Sequence, residues 1–340
     1  MALQFKEVAA ESGEIEQAVP PAERRRLRLV PRWFLTLIGT RLSLAGTVAL
    51  LIIILAAIFA SRIARYAPDA MNAPLAQPPT LAHPFGTNDA GQDIFSQVLY
   101  GARFSLAIGG LTGVSVTALA ILIGMAAGYI GGWLDDLLSM IMNVFLIVPQ
   151  LPLIIVVSAY INLRGDEPVA TVLVMSFVIT ITGWAWGGRV MRSQTLSLRH
   201  RDFVDAAIVS GESTARIIFR DVLPNMLALI VNTVILSSMG AILAETSLDF
   251  LGVGATNQVT WGTMLNYAQA NETLYSGEWW SFVFPGCAIA LTIMCLILMN
   301  NGVDVLSNPR LRRIRAPRGR RRRLRLPSRP ASRVEPEAAL

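Results

Sequence analysis

Six long apolar segments constrain this chain more than any other feature of its sequence. They lie at about 42–60, 104–130, 137–161, 169–186, 226–243 and 280–299. Each is near the roughly 20 residues that a helix needs to cross the hydrocarbon core of a bilayer. None shows the alternation of apolar and polar residues that marks a membrane strand, and only helices and closed barrels satisfy the backbone in lipid. The sequence therefore predicts an all-α membrane protein with about six transmembrane helices.

The composition agrees with this prediction. Of the 340 residues, 53% are hydrophobic and 15% are charged, whereas a soluble domain carries roughly a quarter charged residues. Many of the charges lie near the two ends, in a run from Arg24 to Arg28 and in a second run from Arg310 to Arg333. The net charge of +6 therefore describes the terminal segments and says little about the fold.

The apolar segments divide the chain into five parts. We expect a cytoplasmic tail and surface helix over 1–41, a first transmembrane helix over 42–60, an extracytoplasmic loop over 61–103, a five-helix core over 104–306 that includes an inner loop over 191–225, and a basic cytoplasmic tail over 307–340. The first apolar run is too long for the core of a cleavable signal peptide, so we expect it to remain as a membrane anchor.

Proline and glycine residues predict local features of two spans. Pro149 and Pro152 fall inside the third span, where a kink is expected. Small residues recur in the second span and predict close helix packing. They are Gly109, Gly110, Gly113, Gly124 and Gly128.

The arginines predict the orientation in the membrane, because cytoplasmic loops carry an excess of basic residues. With the N-terminus in the cytoplasm, both tails and the inner loop hold most of the arginines. The outer side then keeps Arg62, Arg65, Arg103 and Arg164. An even number of spans places both termini in the cytoplasm, in a multi-pass protein of the inner (plasma) membrane.

Residues that would support catalysis or metal binding are scarce. Lys6 is the single lysine, and it lacks the preceding glycines of a GxxxxGK[ST] phosphate-binding loop. His83 and His200 lie in different loops, and Cys287 and Cys295 are eight residues apart in one apolar run, too far for a disulfide on a helix. We therefore predict no catalytic residue, no cofactor and no metal site.

The inner loop carries two short helical patterns joined at Gly211. Residues 202–224 read DFVDAAIVSGESTARIIFRDVLP. Glycine permits a sharp turn, Ser213 is expected to cap the second helix, and Pro224 is expected to end it. The small side chains near the turn would let another protein approach closely. From these residues alone, a rigid plug for a partner's groove and a surface linker that touches no other protein are equally open.

The same stretch resembles the EAA loop of permeases in bacterial ATP-binding-cassette importers, whose pattern is EAA-x3-G-x9-I-x-L-P. The matching positions are Asp205, Ala206, Ala207, Gly211, Leu223 and Pro224. Asp205 stands where glutamate is usual, and Asp221 stands where isoleucine is usual. The spacing from the glycine to the proline is that of the family.

Two further segments resemble the same family. Residues 85–103 contain FGTNDAGQD and LYGAR, similar to GTD-x2-GRD and LYGAR, and residues 245–265 are similar to E-x2-L-x-FLG and WG-x-ML. Asn88 replaces the usual aspartate and Gln92 the usual arginine, and Asp249 stands where a small polar residue is common. The prolines usual before the WG pair are missing. The resemblance is to the C-type permease of dipeptide and oligopeptide importers, with the type I importer permease fold.

The resemblance implies an assembly and a mechanism. Such permeases pair with a homologous second permease, two ATP-binding ATPase subunits and an extracytoplasmic peptide-binding protein. The inner loop would sit in a cleft of one ATPase, with the six matching residues as the coupling site, and ATP-driven closure would tilt the permease helices. ATP hydrolysis is expected on the partner subunits. Related permeases move nickel, glutathione or haem, so the substrate stays open.

Two carboxylates lie four residues apart near the outer end of the fifth span, on one helix face. They are Glu245 and Asp249. Ionisable residues in spans are functional-site hypotheses. A role at the outer gate or in contact with the binding protein is one reading, and local pairing in the hydrated interface is the other.

Two further alternatives remain at this stage. The basic C-terminal run predicts a solvated tail or one that binds anionic lipid, and not a nucleic-acid site, because no aromatic residues interleave its arginines. An ion-coupled secondary transporter is the competing function. That class favours carboxylates at mid-span and internal repeats, and the sequence offers no clear instance of either.

Overall fold

The computed structural model describes residues 40–160 and 167–307, and these residues form helices and loops without a β-strand. The helices are α1 (Arg41–Ile58), α2 (Ala60–Ile63), α3 (Ile94–Ile130), α4 (Gly132–Ile147), α5 (Gln150–Tyr160), α6 (Pro168–Arg199), α7 (Asp202–Val209), α8 (Thr214–Ile217), α9 (Leu223–Asn225), α10 (Leu227–Phe250), α11 (Trp261–Ala270) and α12 (Trp280–Ser307). The predicted N-terminal tail and almost all of the basic C-terminal tail lie outside the described residues.

Five of these helices, α1, α3, α6, α10 and α12, are long and apolar enough to cross a membrane. The pair α4 and α5 makes a sixth span with a bend of 91° between its halves. The bend occurs at Pro149, which has no N–H to continue the helix and forces Val148 into an extended conformation with ψ of 126°. The all-α fold, the span count and the kink in the third span are therefore confirmed.

Helix α3 forms the centre of the bundle, where it packs against α6 and α10, while α1 packs against α12. Four of the five glycines singled out in α3 lie at these crossings. A Cβ on Gly124 would lie 2.4 Å from the Gly188 carbonyl oxygen of α6, and one on Gly113 would lie 2.9 Å from the Ser238 amide nitrogen of α10. The prediction of close packing is confirmed there and wrong for Gly110, whose Cβ would meet nothing within 4 Å.

Alanine substitutions in α3 should distinguish the closely packed glycines from Gly110 by their effect on stability. We expect Gly124→Ala to lower the free energy of unfolding by about 1–3 kcal/mol, because backbone atoms of α6 cannot give way as a flexible side chain can. The matched variant Gly110→Ala should leave stability unchanged or slightly raised, since alanine favours helix over glycine. Thermal unfolding midpoints of the two purified variants in detergent measure this, and equal midpoints would contradict the packing.

The segment from α7 to α9, residues 202–225, connects α6 to α10 at one end of the bundle, which we call the α7 end. Gly211 has φ of +73° and makes the predicted turn between α7 and α8. Ser213 precedes α8 in an extended conformation, but its side chain forms no capping hydrogen bond. The prediction that Pro224 ends the second helix is wrong. A π-helical turn over Ile218–Val222 precedes the proline, and such a turn re-routes the hydrogen bonds that a proline would break.

Candidate functional site

The α7–α9 segment is fixed to the bundle by three buried side chains. Val204 and Val222 are 0% exposed and Ile217 is 2% exposed. They pack in one cluster with Met191 of α6 and Met226, the residue that precedes α10. Because close-packed interiors transmit displacement, a force applied to this segment reaches α6 and α10 together.

The opposite surface of the segment is open and partly apolar. Val209 is 88% exposed, Phe219 is 68% exposed and Ile208 is 54% exposed. Gly211 lies among them, and a Cβ at this position would meet nothing within 4 Å. Exposed apolar patches on a rigid support are characteristic of protein-binding surfaces.

The structure brings the six residues of the predicted coupling site into this segment, but not into one patch. Asp205, Ala206, Gly211 and Pro224 are exposed, whereas Ala207 and Leu223 are half-buried. Ala207 accepts the backbone N–H of Glu212 at 3.1 Å and thereby closes the turn. The exposed members surround the turn and the following helical stretch.

An ion pair near this segment was missed in the sequence. The Arg192 guanidinium of α6 donates two hydrogen bonds to the Asp135 carboxylate of α4, with Nε–Oδ1 and Nη2–Oδ2 distances of 2.5 Å and 2.7 Å. The pair links the helix that leads into α7 to the first half of the broken span. An aspartate three residues after Gly132, in a mostly apolar stretch, was the available signal.

The carboxylate of Glu245 lies in the interior, at the end of the bundle opposite the α7 end, which we call the α11 end. Its side chain is 0% exposed. Oε1 accepts the Ser105 hydroxyl of α3 at 3.0 Å, and Oε2 accepts the Thr246 hydroxyl at 3.3 Å. Glu245 therefore joins α10 to α3.

Asp249, also 0% exposed, organises the loop that follows α10. Oδ1 accepts the backbone N–H of Ala255 at 2.7 Å, and Oδ2 accepts the hydroxyl of Thr260, the N-cap of α11, at 2.5 Å. The loop and the start of α11 approach Asp249 closely because Gly254 and Gly262 have no side chains to keep them away. Both side chains are buried and not hydrated, while Asp249 makes local hydrogen bonds as the second interpretation expects. A role at the outer gate or in contact with the binding protein stays a prediction.

Asn88 and Gln92, which precede α3 and differ from the family pattern, contact each other. Asn88 Nδ2 donates to Gln92 Oε1 at 2.8 Å, and Gln97 Nε2 donates to the same oxygen at 2.8 Å. An amide pair thus stands where the pattern has an aspartate and an arginine, so the two replacements compensate each other. Nearby, His83 Nδ1 lies 2.9 Å from Asp93 Oδ1, a structural contact that supports the N-cap of α3.

Glu278 lies in the loop before α12 and is 8% exposed. Its Oε2 has no hydrogen-bond partner within the described part of the chain. Burial raises the pKa of this carboxyl group, and the charge of Asp89 raises it further. Folding therefore disfavours the charged form of Glu278 relative to the unfolded chain.

This raised pKa makes stability depend on pH. The contribution of Glu278 to the free energy of unfolding is greatest below the ordinary glutamate pKa of about 4.3 and is lost as pH rises through the higher folded-state pKa. We therefore expect Glu278→Gln to raise the unfolding temperature at neutral pH and to lose this advantage in acid. The exposed Glu272→Gln serves as control, and identical pH profiles for both variants would contradict the assignment.

Metal-ligating side chains do not gather in the part of the chain that the structure describes. No group of three or more His, Cys, Asp or Glu residues is placed there to hold a metal ion. The two ends of the bundle differ: the α7 end has an exposed, partly apolar surface, and the α11 end has a buried hydrogen-bond network.

Comparison with known proteins gives these features a context. A family model described as "Binding-protein-dependent transport system inner membrane component" matches residues 120–313. The oligopeptide transport system permease protein of Mycobacterium tuberculosis is 34% identical over 293 residues, which cover 85% of this chain and 97% of the relative. The dipeptide transport system permease protein of Bacillus subtilis is 34% identical over 237 residues, or 69% and 71% of the two chains.

A third relative extends the similarity to another group of bacteria. The putative peptide transport system permease protein of Brucella suis is 37% identical over 270 residues, which cover 78% of this chain and 87% of the relative. The family model alone spans more than half of the chain. The chain therefore belongs to the inner membrane components of binding-protein-dependent transport systems, as a multi-pass permease of an ATP-binding-cassette importer in the plasma membrane.

Proposed function

We propose that this permease carries dipeptides or oligopeptides into the cell and that its 191–225 loop transmits the motion of the ATPase subunits. The observation that carries the coupling proposal is the exposed apolar surface around Gly211, held on a buried anchor of Val204, Ile217 and Val222. The names of the similar proteins from Mycobacterium, Bacillus and Brucella support peptides as the substrate class.

The coupling site would work as a rigid plug. Ala206 and Gly211 have little or no side chain, so the backbone of an ATPase cleft can approach closely, and Val209 and Phe219 supply apolar area that leaves water on docking. Asp205 adds one negative charge beside the turn. Leu223 and Pro224 complete the match to the family pattern at the end of the π-helical turn.

Closure of the ATPases would then move α6 and α10 as one body. The three buried anchors would couple the motion of the α7–α9 segment to that of the bundle, and the Arg192–Asp135 pair would extend the connection to α4. Rigid-body tilting of packed helices is an established way of switching access. The expected partners are a homologous second permease, two ATPase subunits that hydrolyse ATP, and an extracytoplasmic peptide-binding protein.

The α7 end would face the cytoplasm, with both termini on that side and anionic lipid near the basic C-terminal tail. The α11 end would face the extracytoplasmic side. There Glu245 and Asp249 would hold α3, α10 and α11 together as the frame of the outer gate, since their hydrogen bonds join all three helices.

Substrate uptake by the complete transporter tests this function. Proteoliposomes containing both permeases and the ATPases, supplied with the binding protein and ATP, should accumulate labelled di- or tripeptides. Unlabelled peptide should compete, whereas nickel, glutathione and haem should not. If nickel, glutathione or haem lowers uptake and unlabelled peptide does not, that competitor and not peptide is the substrate. Uptake by this chain alone, driven by a proton gradient, would favour the ion-coupled alternative.

A further inference from the structure

A cavity of about 180 Å³ opens between α3, α6 and α10, beside the break between α4 and α5. Its lining includes Thr112, Gln150, Gly183, Trp186, Ser237 and Gly240. No charged side chain lines the cavity among the described residues. The cavity is distinct from the docking surface at the α7 end and from the carboxylates at the α11 end.

The cavity lies at the middle of the spans. Thr112 is residue 19 of the 37 in α3, and Gly183 is residue 16 of the 32 in α6. Ser237 is residue 11 of the 24 in α10. Three helices that are long and apolar enough to cross a bilayer thus contribute residues near their midpoints, so the cavity lies away from both ends of the bundle.

The lining of the cavity is polar at a depth where polar groups are costly. Thr112 is 0% exposed, and its hydroxyl has no hydrogen-bond partner in the described residues. Gln150 brings an amide, whose Nε2 would lie 3.0 Å from a Cβ on Gly183, and Ser237 brings a second hydroxyl. Thr112 is covered by its neighbours, whereas the exposed Gln150 and the half-buried Ser237 line the open part of the cavity. Polar groups are not stable against hydrocarbon, so this open part suits a water-filled path or another protein.

The break in the third span places the start of α5 beside the cavity. Gln150 is the first residue of α5, an 11-residue helix that begins after the 91° bend. The first N–H groups of a helix have no partner inside it and attract groups with negative charge or partial charge. Broken helices that direct such ends to the membrane midplane form substrate sites in other transporters.

We propose that this midplane cavity binds the main chain of the peptide in transit, with Gln150 and Ser237 as its hydrogen-bonding groups. A peptide bond offers one donor and one acceptor, and an amide or hydroxyl side chain can match either. The lack of charge in the lining would let peptides of different side-chain charge pass. This inference rests on the proposed function, because its occupant is a peptide.

A pair of glycines gives a matched test. Gly240 lines the cavity, Gly286 lies in α12 away from it, and a Cβ at either position would meet nothing within 4 Å. In the complete transporter we expect Gly240→Leu to lower the rate of peptide uptake at least tenfold while binding-protein-stimulated ATP hydrolysis continues. Gly286→Leu should keep uptake within twofold of the wild type. The milder Gln150→Leu should raise the KM for peptide several-fold.

The outcomes separate this inference from the proposed function. If the wild type transports peptide and both leucine variants transport it equally, the cavity is not on the path, although the function stands. If Gly240→Leu fails to co-purify with the second permease, a helix of that subunit fills the cavity and the peptide is not its occupant. If the wild type transports no peptide, both proposals fall together.

Discussion

Replacing Gly211 with tryptophan should lower ATP-dependent uptake about 100-fold while the chain stays folded in the membrane. A loss of about 2.7 kcal/mol in ATPase docking is sufficient for this factor. A Cβ at position 211 meets nothing within 4 Å, so the indole has room to point away from the bundle. It would occupy the space that the proposed ATPase cleft needs for close approach. Uptake by reconstituted transporter, normalised to the amount of permease in the vesicles, measures the effect.

The matched control is Gly277→Trp. Gly277 has φ of +83° against +73° for Gly211, and a Cβ there also meets nothing within 4 Å. Both variants therefore bear the same left-handed backbone strain, of about 1–2 kcal/mol for a non-glycine residue, but they lie at opposite ends of the bundle. Equal losses of uptake would mean that strain, and not docking, explains the effect at Gly211.

Replacing Asp249 with alanine should have the second largest effect. The backbone N–H of Ala255 and the hydroxyl of Thr260 would lose their acceptor, and each buried unsatisfied group costs about 1–3 kcal/mol. We expect the loop over 251–260 to detach from α10 and uptake to fall at least tenfold. The ATPases should remain bound, because the α7 end is unaffected.

Asparagine at the same position is the control. Asp249→Asn keeps an oxygen that can accept from Ala255, and it removes a buried negative charge beside Glu245, so its effect should be much smaller. Limited proteolysis would report release of the loop, with faster cleavage expected for the alanine variant alone. Wild-type uptake and wild-type cleavage in Asp249→Ala would exclude the proposed frame of the outer gate.

The features that could be predicted from the sequence are local or periodic. A transmembrane span is recognised from about 20 consecutive apolar residues, wherever it lies in the fold. Pro149 likewise interrupts a helix regardless of its neighbours in the fold. Gly211 likewise predicts its own turn. The family patterns added the positions of the docking surface, because they record residue types at fixed spacing.

The remaining features depend on contacts between distant parts of the chain. Asp135 and Arg192 are 57 residues apart, and Ser105 and Glu245 are 140 residues apart. The sequence leaves a gate role and a hydrated local pair open for Glu245 and Asp249, because their burial depends on α3 and on the glycine-bearing loop before α11. The 180 Å³ cavity likewise exists only where α3, α6 and α10 meet, and no single segment predicts it.

Affinity purification of the tagged full-length chain from its native membrane tests the central claim most directly, with wild type, Gly211→Trp and Gly277→Trp compared side by side. The importer account predicts that the wild type and Gly277→Trp recover a second permease and ATPase subunits, and that Gly211→Trp keeps the second permease but loses the ATPases. Recovery of the chain alone or only with copies of itself, from cells that still accumulate substrate, would contradict the account.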